Sequence, residues 1–189
     1  RLTYGLSAGL RDSGNTLSLD LRRQETGRSG NPPFAMDIEF FDTDFARLGF
    51  DGTIAGAPAT IALGYTGVRH AMDNFTLRPP PATAAQYRRT LAGADTFHAT
   101  GSVQLGALVL GVDGMAVDRT VTIANPNNAA FVIHSLDRVR QQRLGAFAEL
   151  AGGFAGWRGD IGVRVDRHAA RMADPRVGGA VPAMVAMLA

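Results

Sequence analysis

Cysteine is absent from the 189 residues, which removes disulfides, thiolate metal sites and cysteine nucleophiles from consideration. Lysine is absent too: the 19 basic residues other than histidine are all arginine, which reads as coding bias rather than as a binding surface. They are scattered among 17 acidic residues, for a net charge of +2. No basic stripe gathers on one face as nucleic-acid binding would need, so no nucleic-acid partner is expected. No stretch reaches the roughly 18 apolar residues of a transmembrane helix, and no basic leader with a hydrophobic core is legible. Heptads, internal repeats and phosphate-binding glycine loops are missing as well.

What is present is the period-two alternation of β-strands. Leu17, Leu19 and Leu21 alternate with Ser18, Asp20 and Arg22, after a turn at Asp12-Ser13-Gly14-Asn15. Ala46, Leu48, Phe50 and Ile54 oppose Arg47 and Asp51; Ile61, Leu63 and Tyr65 oppose Thr60, Ala62, Gly64 and Thr66. Phe97 to Leu105 and Trp157 to Val165 repeat the pattern. Eight strands are predicted, near 2–10, 16–23, 41–53, 59–69, 97–105, 108–118, 144–151 and 157–168. Their connections alternate short and long, the long ones at 24–39, 70–94 and 119–140, with one short helix possible at 82–91.

Sorting of loops by parity favours an all-β, antiparallel up-and-down meander that is part of a transmembrane β-barrel: about eight strands of a larger barrel, apolar toward lipid and polar toward the lumen. A soluble β-sandwich has no reason to sort its loops this way. Asp20 with Arg22, Arg47 with Asp51, and Asp160 with Arg164 and Asp166 suit a wet lumen. Cut from a larger barrel, the segment should carry two unpaired edges, at 2–10 and 157–168.

His70 and Met72 continue the even-numbered, lumen-facing set of the fourth strand toward its long connection. A neutral imidazole and a thioether suit a soft ion, above all Cu(I). Two ligands do not make a tight site, and on the pattern alone a loop-entry pair without metal is the better reading. His98, on the lumen face of the next strand, and Met36, in the preceding loop, are weaker candidates. Met172, Met184 and Met187 receive no role. Asp42 and Asp44 offer too few oxygens for Ca²⁺. His134, Ser135 and Asp137 lack a nucleophile-elbow motif, and no enzyme is expected.

Three pieces keep one order along the chain: Gly30-Asn31-Pro32-Pro33-Phe34-Ala35-Met36-Asp37-Ile38 with Phe40-Phe41-Asp42-Thr43-Asp44-Phe45, then His70-Ala71-Met72-Asp73-Asn74-Phe75-Thr76-Leu77-Arg78-Pro79, then Gly162-Val163-Arg164-Val165-Asp166-Arg167. In these the chain resembles the barrel of the TonB-dependent copper receptors of the bacterial outer membrane, the OprC and NosA type. The resemblance implies that residues 1–189 are a partial receptor barrel without its plug domain. It further implies that His70 and Met72 are the barrel's H-x-M pair, completed by a C-x-x-x-M pair on the plug. Partners would be the copper ion, that plug, the TonB complex and outer-membrane lipid. The alternatives are a TonB-dependent receptor for an iron chelate and a soluble or surface β-sandwich binding module.

Overall fold

The computed structural model describes residues 1–154, 156–172 and 176–178; Met184 and Met187 lie outside them. Eight strands follow in meander order, each hydrogen-bonded antiparallel to its sequence neighbours. They are β1 (Leu2–Asp12), β2 (Asn15–Thr26), β3 (Asp37–Ile54), β4 (Ala57–Asp73), β5 (Arg89–Leu105), β6 (Leu108–Asn125), β7 (Asn128–Phe154) and β8 (Trp157–Arg171). A short β9 (Arg176–Gly178) pairs with β7 at Val132, Ile133 and His134. Where sequence composition suggested a short helix there is a single 3-10 turn, Ala84–Gln86.

The tight turns have a simple cause. Ser13 and Gly14 both take positive φ (48° and 85°), as do Ala55 and Gly56 (51° and 84°). Two consecutive left-handed residues match the right-handed twist of the strands that they join, which is why glycine sits second in both turns.

Register sorts every side chain to one of two faces. Leu19, Leu48, Leu63, Ala99, Gly114 and Leu144 are successive partners across six strands. Leu17, Leu21, Ile61, Tyr65, Val103, Leu105, Ile161, Val163 and Val165 share their face, as the alternation predicted. Ser18, Asp20, Thr66, Thr100, Gln104 and Arg164 fall on the opposite one. There Arg22 meets Asp20 at 2.8 Å, and Arg164 bridges Asp113 and Asp166, both at 2.7 Å. The expected Arg47–Asp51 pair does not form; Asp51 instead accepts a hydrogen bond from Thr60 at 3.1 Å.

The described residues form one sheet and no second layer. Its buried apolar residues are few and mostly small: Ala59, Ala62, Ala71 and Val117. Leu63, Phe97, Leu144, Ile161, Val163 and Val165 lie exposed. Such a sheet has no protein core of its own, so a sandwich, which buries two inner faces against each other, is set aside. Among the described residues β1 pairs only with β2, and β8 only with β7. Both strands are exposed along their whole length, the open edges expected at 2–10 and 157–168.

One expectation is corrected. The third long connection, 119–140, is not a loop: β6 and β7 run on as a tall hairpin closed at Pro126 and Asn127. Asn125 Oδ1 accepts the Asn127 N–H at 2.8 Å and Asn128 Oδ1 accepts that of Ala130 at 3.1 Å, so side-chain caps make the turn that composition read as a loop. Register shifts at Arg119, Val121 and Asn125 break the ladder, which hides the alternation. The other long connections shorten to 27–36 and 74–88, because β3, β4 and β5 continue beyond their apolar stretches.

The facing makes a direct prediction. Leu63→Arg, in the middle of the apolar band, should destabilise the sheet in bilayers by about 2 to 4 kcal/mol. Thr66→Arg, on the polar face, should change little. Denaturant unfolding in lipid vesicles compares the two, and equal stability of both variants would show the facing to be wrong.

Candidate metal centre

β4 and β5 pair in unbroken register from Ala59 to Asp73, so the parity of Thr66 and Val68 carries through to His70 and Met72. Both therefore project from the polar face at the end of the sheet that bears the long connections. His70 lies opposite Phe41 on β3, with ring centroids 5.0 Å apart. Its Nε2 is buried and has no hydrogen-bond partner among the described residues. Most buried polar atoms are paired, so an orphaned ring nitrogen calls for an explanation.

Met72 lies opposite Ile38 and Thr90. Between Ile38 and Phe40 the β3–β4 register slips by one residue, and this bulge turns Glu39 out to bind Arg89 at 2.7 Å. Met36 comes to the same corner: its sulfur lies 3.5 Å from Thr90 Oγ1. His98 does not. It sits well down the polar face, opposite Gly64 and Met115, with its ring lying over Gly64 where any Cβ would collide. Among the described residues no cluster of three or more His, Asp or Glu side chains could hold a metal ion. His134 and Ser135 bond to Thr122 and to the Val121 carbonyl.

The corner is held by residues that sequence reasoning passed over. Asp37, only 5% exposed, receives Arg78 through Nη2 at 2.6 Å and Nε at 2.8 Å, together with the Asn31 N–H at 2.8 Å. Asp73, 2% exposed, accepts the N–H groups of Phe75 and Thr76 at 3.0 and 2.7 Å. Asn74 bonds to Gln86 and Arg88, and Asn125 at the hairpin tip donates to the Ala84 carbonyl at 2.9 Å. Arg88 stacks 4.3 Å over the Phe131 ring. The 27–36 and 74–88 connections and the β6–β7 hairpin are thus tied together at the end of the sheet that carries His70 and Met72. The spacing Asp73-x-x-Thr76 is a side-chain-capped turn, a signal that was available in the sequence.

This fold has a known counterpart. A solved structure titled "Copper transporter OprC" matches 90% of this chain with a TM-score of 0.74 at 19% sequence identity. The likeness is one of fold: the sheet is a stretch of β-barrel wall. The chain spans 28% of the length of that structure. No family model matches the chain, and no curated protein does.

On the barrel's outer face the apolar band ends, toward the long connections, at a charged row that includes Arg23, Asp44, Asp95, Asp118 and Arg140. Asp37 lies beyond that row. The Arg78 guanidinium and the Asn31 N–H pull its carboxyl down to about 2. A depressed carboxylate stabilises the folded loops fully above its unfolded pKa of about 4, and the contribution disappears as pH falls through the folded value. The 27–36 and 74–88 loops should therefore resist pepsin at pH 4 and yield as the pH drops through about 2. Arg78→Ala, which strands the buried carboxylate, should already be cut at pH 4. Identical cleavage profiles for the two proteins would contradict the clasp.

Proposed function

We propose that this chain is part of the barrel domain of an outer-membrane, TonB-dependent receptor that takes up copper. In this reading His70 Nε2 and the Met72 sulfur are the barrel's contribution to a Cu(I) site, and a plug outside this chain supplies the remaining ligands. The observation that carries the reading is the unpartnered, buried Nε2 of His70 beside Met72, on the lumen face at the long-loop mouth. The fold likeness to a copper transporter supports it. In outer-membrane barrels the long loops face outward, so the site stands where an ion arrives from outside.

The chemistry follows from the donors. Imidazole nitrogen and thioether sulfur favour a soft cation, whereas Ca²⁺ and Mg²⁺ demand oxygen ligands. Met36 adds a second thioether at the same corner. Two or three neutral donors hold the ion without adding charge, which suits a cargo that must leave again. The loop clasp built on Asp37 and Asp73 fixes the end of β4 and with it the ligand pair. TonB, acting through the plug, would open the path inward.

In the intact receptor, His70→Ala and Met72→Ala should each lower bound copper and copper-dependent growth while barrel assembly stays unchanged. Binding should favour Cu(I) over Zn²⁺, for which a thioether adds little. His98→Ala should leave copper binding as it is. Metal analysis of the purified double variant His70→Ala, Met72→Ala decides: copper at wild-type stoichiometry and affinity would rule the site out and put the iron-chelate receptor ahead.

A further inference from the structure

The outer face carries a trough of about 840 Å³ between β4 and β8. Its floor is made of very small residues, Ala99, Gly114 and Ala116, which register places side by side on β5 and β6. Leu63 and Phe97 wall one side and Leu144 the other. Toward the long connections the trough ends at Arg140 and Arg171, with Arg167 along its β8 side.

Among the described residues the charges there are out of balance. Elsewhere near this rim arginine is matched: Arg23 to Asp44 at 2.9 Å and Arg69 to Asp95 at 3.0 Å. Among the described residues Arg140 has only Asp118, at 3.7 Å, and Arg167 and Arg171 make no ion pair. Arg140 and Arg171 are direct partners in the ladder, and like charges facing each other across strands are destabilising unless something neutralises them. Arg167 is odder still, since its row partners are Leu144, Gly114, Ala99 and Leu63. A cation inside an apolar band is costly unless its long stem lets the head reach polar groups at the interface.

We infer that this trough is a binding site for a phosphate-bearing, multiply acylated lipid of the outer leaflet, the lipid A portion of lipopolysaccharide. One acyl chain would lie along the Ala99, Gly114 and Ala116 floor. The phosphate would sit among Arg140, Arg167 and Arg171, where a doubly charged anion neutralises the facing pair and accepts several guanidinium hydrogen bonds. Neither half suffices alone: the trough without arginines would take any lipid tail, and the arginines without the trough would take any anion. The inference rests on the outer-membrane reading above, and it concerns the lipid-facing side rather than the copper pair.

The test uses the full-length receptor, extracted from outer membranes in mild detergent, with co-purified lipopolysaccharide measured by native mass spectrometry. Arg140→Gln, Arg167→Gln and Arg171→Gln combined should lower retained lipopolysaccharide at least tenfold. Gly114→Leu, whose first carbon meets only ordinary contacts at 3.7 Å, should fill the trough and lower retention several-fold with all arginines present. Arg158→Gln, at the opposite end of β8, should retain it fully, and millimolar inorganic phosphate should not displace it. Arg171→Gln alone removes the facing cation and should fold at least as well as wild type, so it serves if the triple variant does not assemble. Unchanged retention in the arginine variants or in Gly114→Leu, equal loss in Arg158→Gln, or displacement by inorganic phosphate overturns the inference. A full-length protein that does not fractionate with the outer membrane would instead overturn the reading on which it rests.

Discussion

Adjacent residues on a strand point to opposite faces, and across seven antiparallel pairings this parity decides where every side chain goes. A slip of one residue within the apolar band would exchange the apolar and polar rows between the two faces of the sheet. The Leu19, Leu48, Leu63 and Leu144 row and the Ser7, Asp20, Arg47, His98, Met115 and Arg143 row are the two outcomes of that single constraint. No packed core reinforces it, because the described sheet is one layer with both faces open. In the proposed outer-membrane setting, the ladder and its surroundings, lipid on one side and water or plug on the other, carry what a core carries in a soluble domain.

The same parity places the proposed ligand pair at one end of the sheet. His70 and Met72 share a face only because β4 and β5 stay in register past the apolar band. The slip at Glu39 is confined to the β3 side, where it brings Glu39 to Arg89 and leaves the β4 phase untouched. Beyond that point order comes from polar contacts: Asp37 with Arg78, Asp73 with its own turn, Asn125 with Ala84. The proposed ligand pair thus sits on a rigid strand end under loops that are tied to one another, an arrangement that fixes ligands better than free loops do.

Where one face is apolar and the other polar, the fold could be read from the residues alone. Leu17 to Arg22, Ala59 to Thr66 and Phe97 to Gln104 alternate cleanly, and their strands and faces were legible to within a few residues. Above the apolar band both faces are wet. There β5 begins at Arg89 rather than Phe97, and the β6–β7 hairpin passes for a loop, because nothing selects apolar side chains on either face. His70 and Met72 were legible as a pair by parity. The Asp37–Arg78 clasp was not, since it joins residues 41 positions apart in two connections that carry no periodic signal.

Spin-label accessibility along β4 tests the central claim most directly. The chain has no cysteine, so each introduced thiol is unique within it. Labels at positions 61 to 72 of the membrane-embedded protein should alternate with period two. Positions 61, 63 and 65 should be relaxed by oxygen dissolved in lipid, and 62, 64 and 66 by a water-soluble nickel chelate. At 70 and 72, the label should report the enclosed lumen side, in phase with 64 and 66. Alternation of the opposite phase, or none, would contradict the account of both the barrel wall and the site at its mouth.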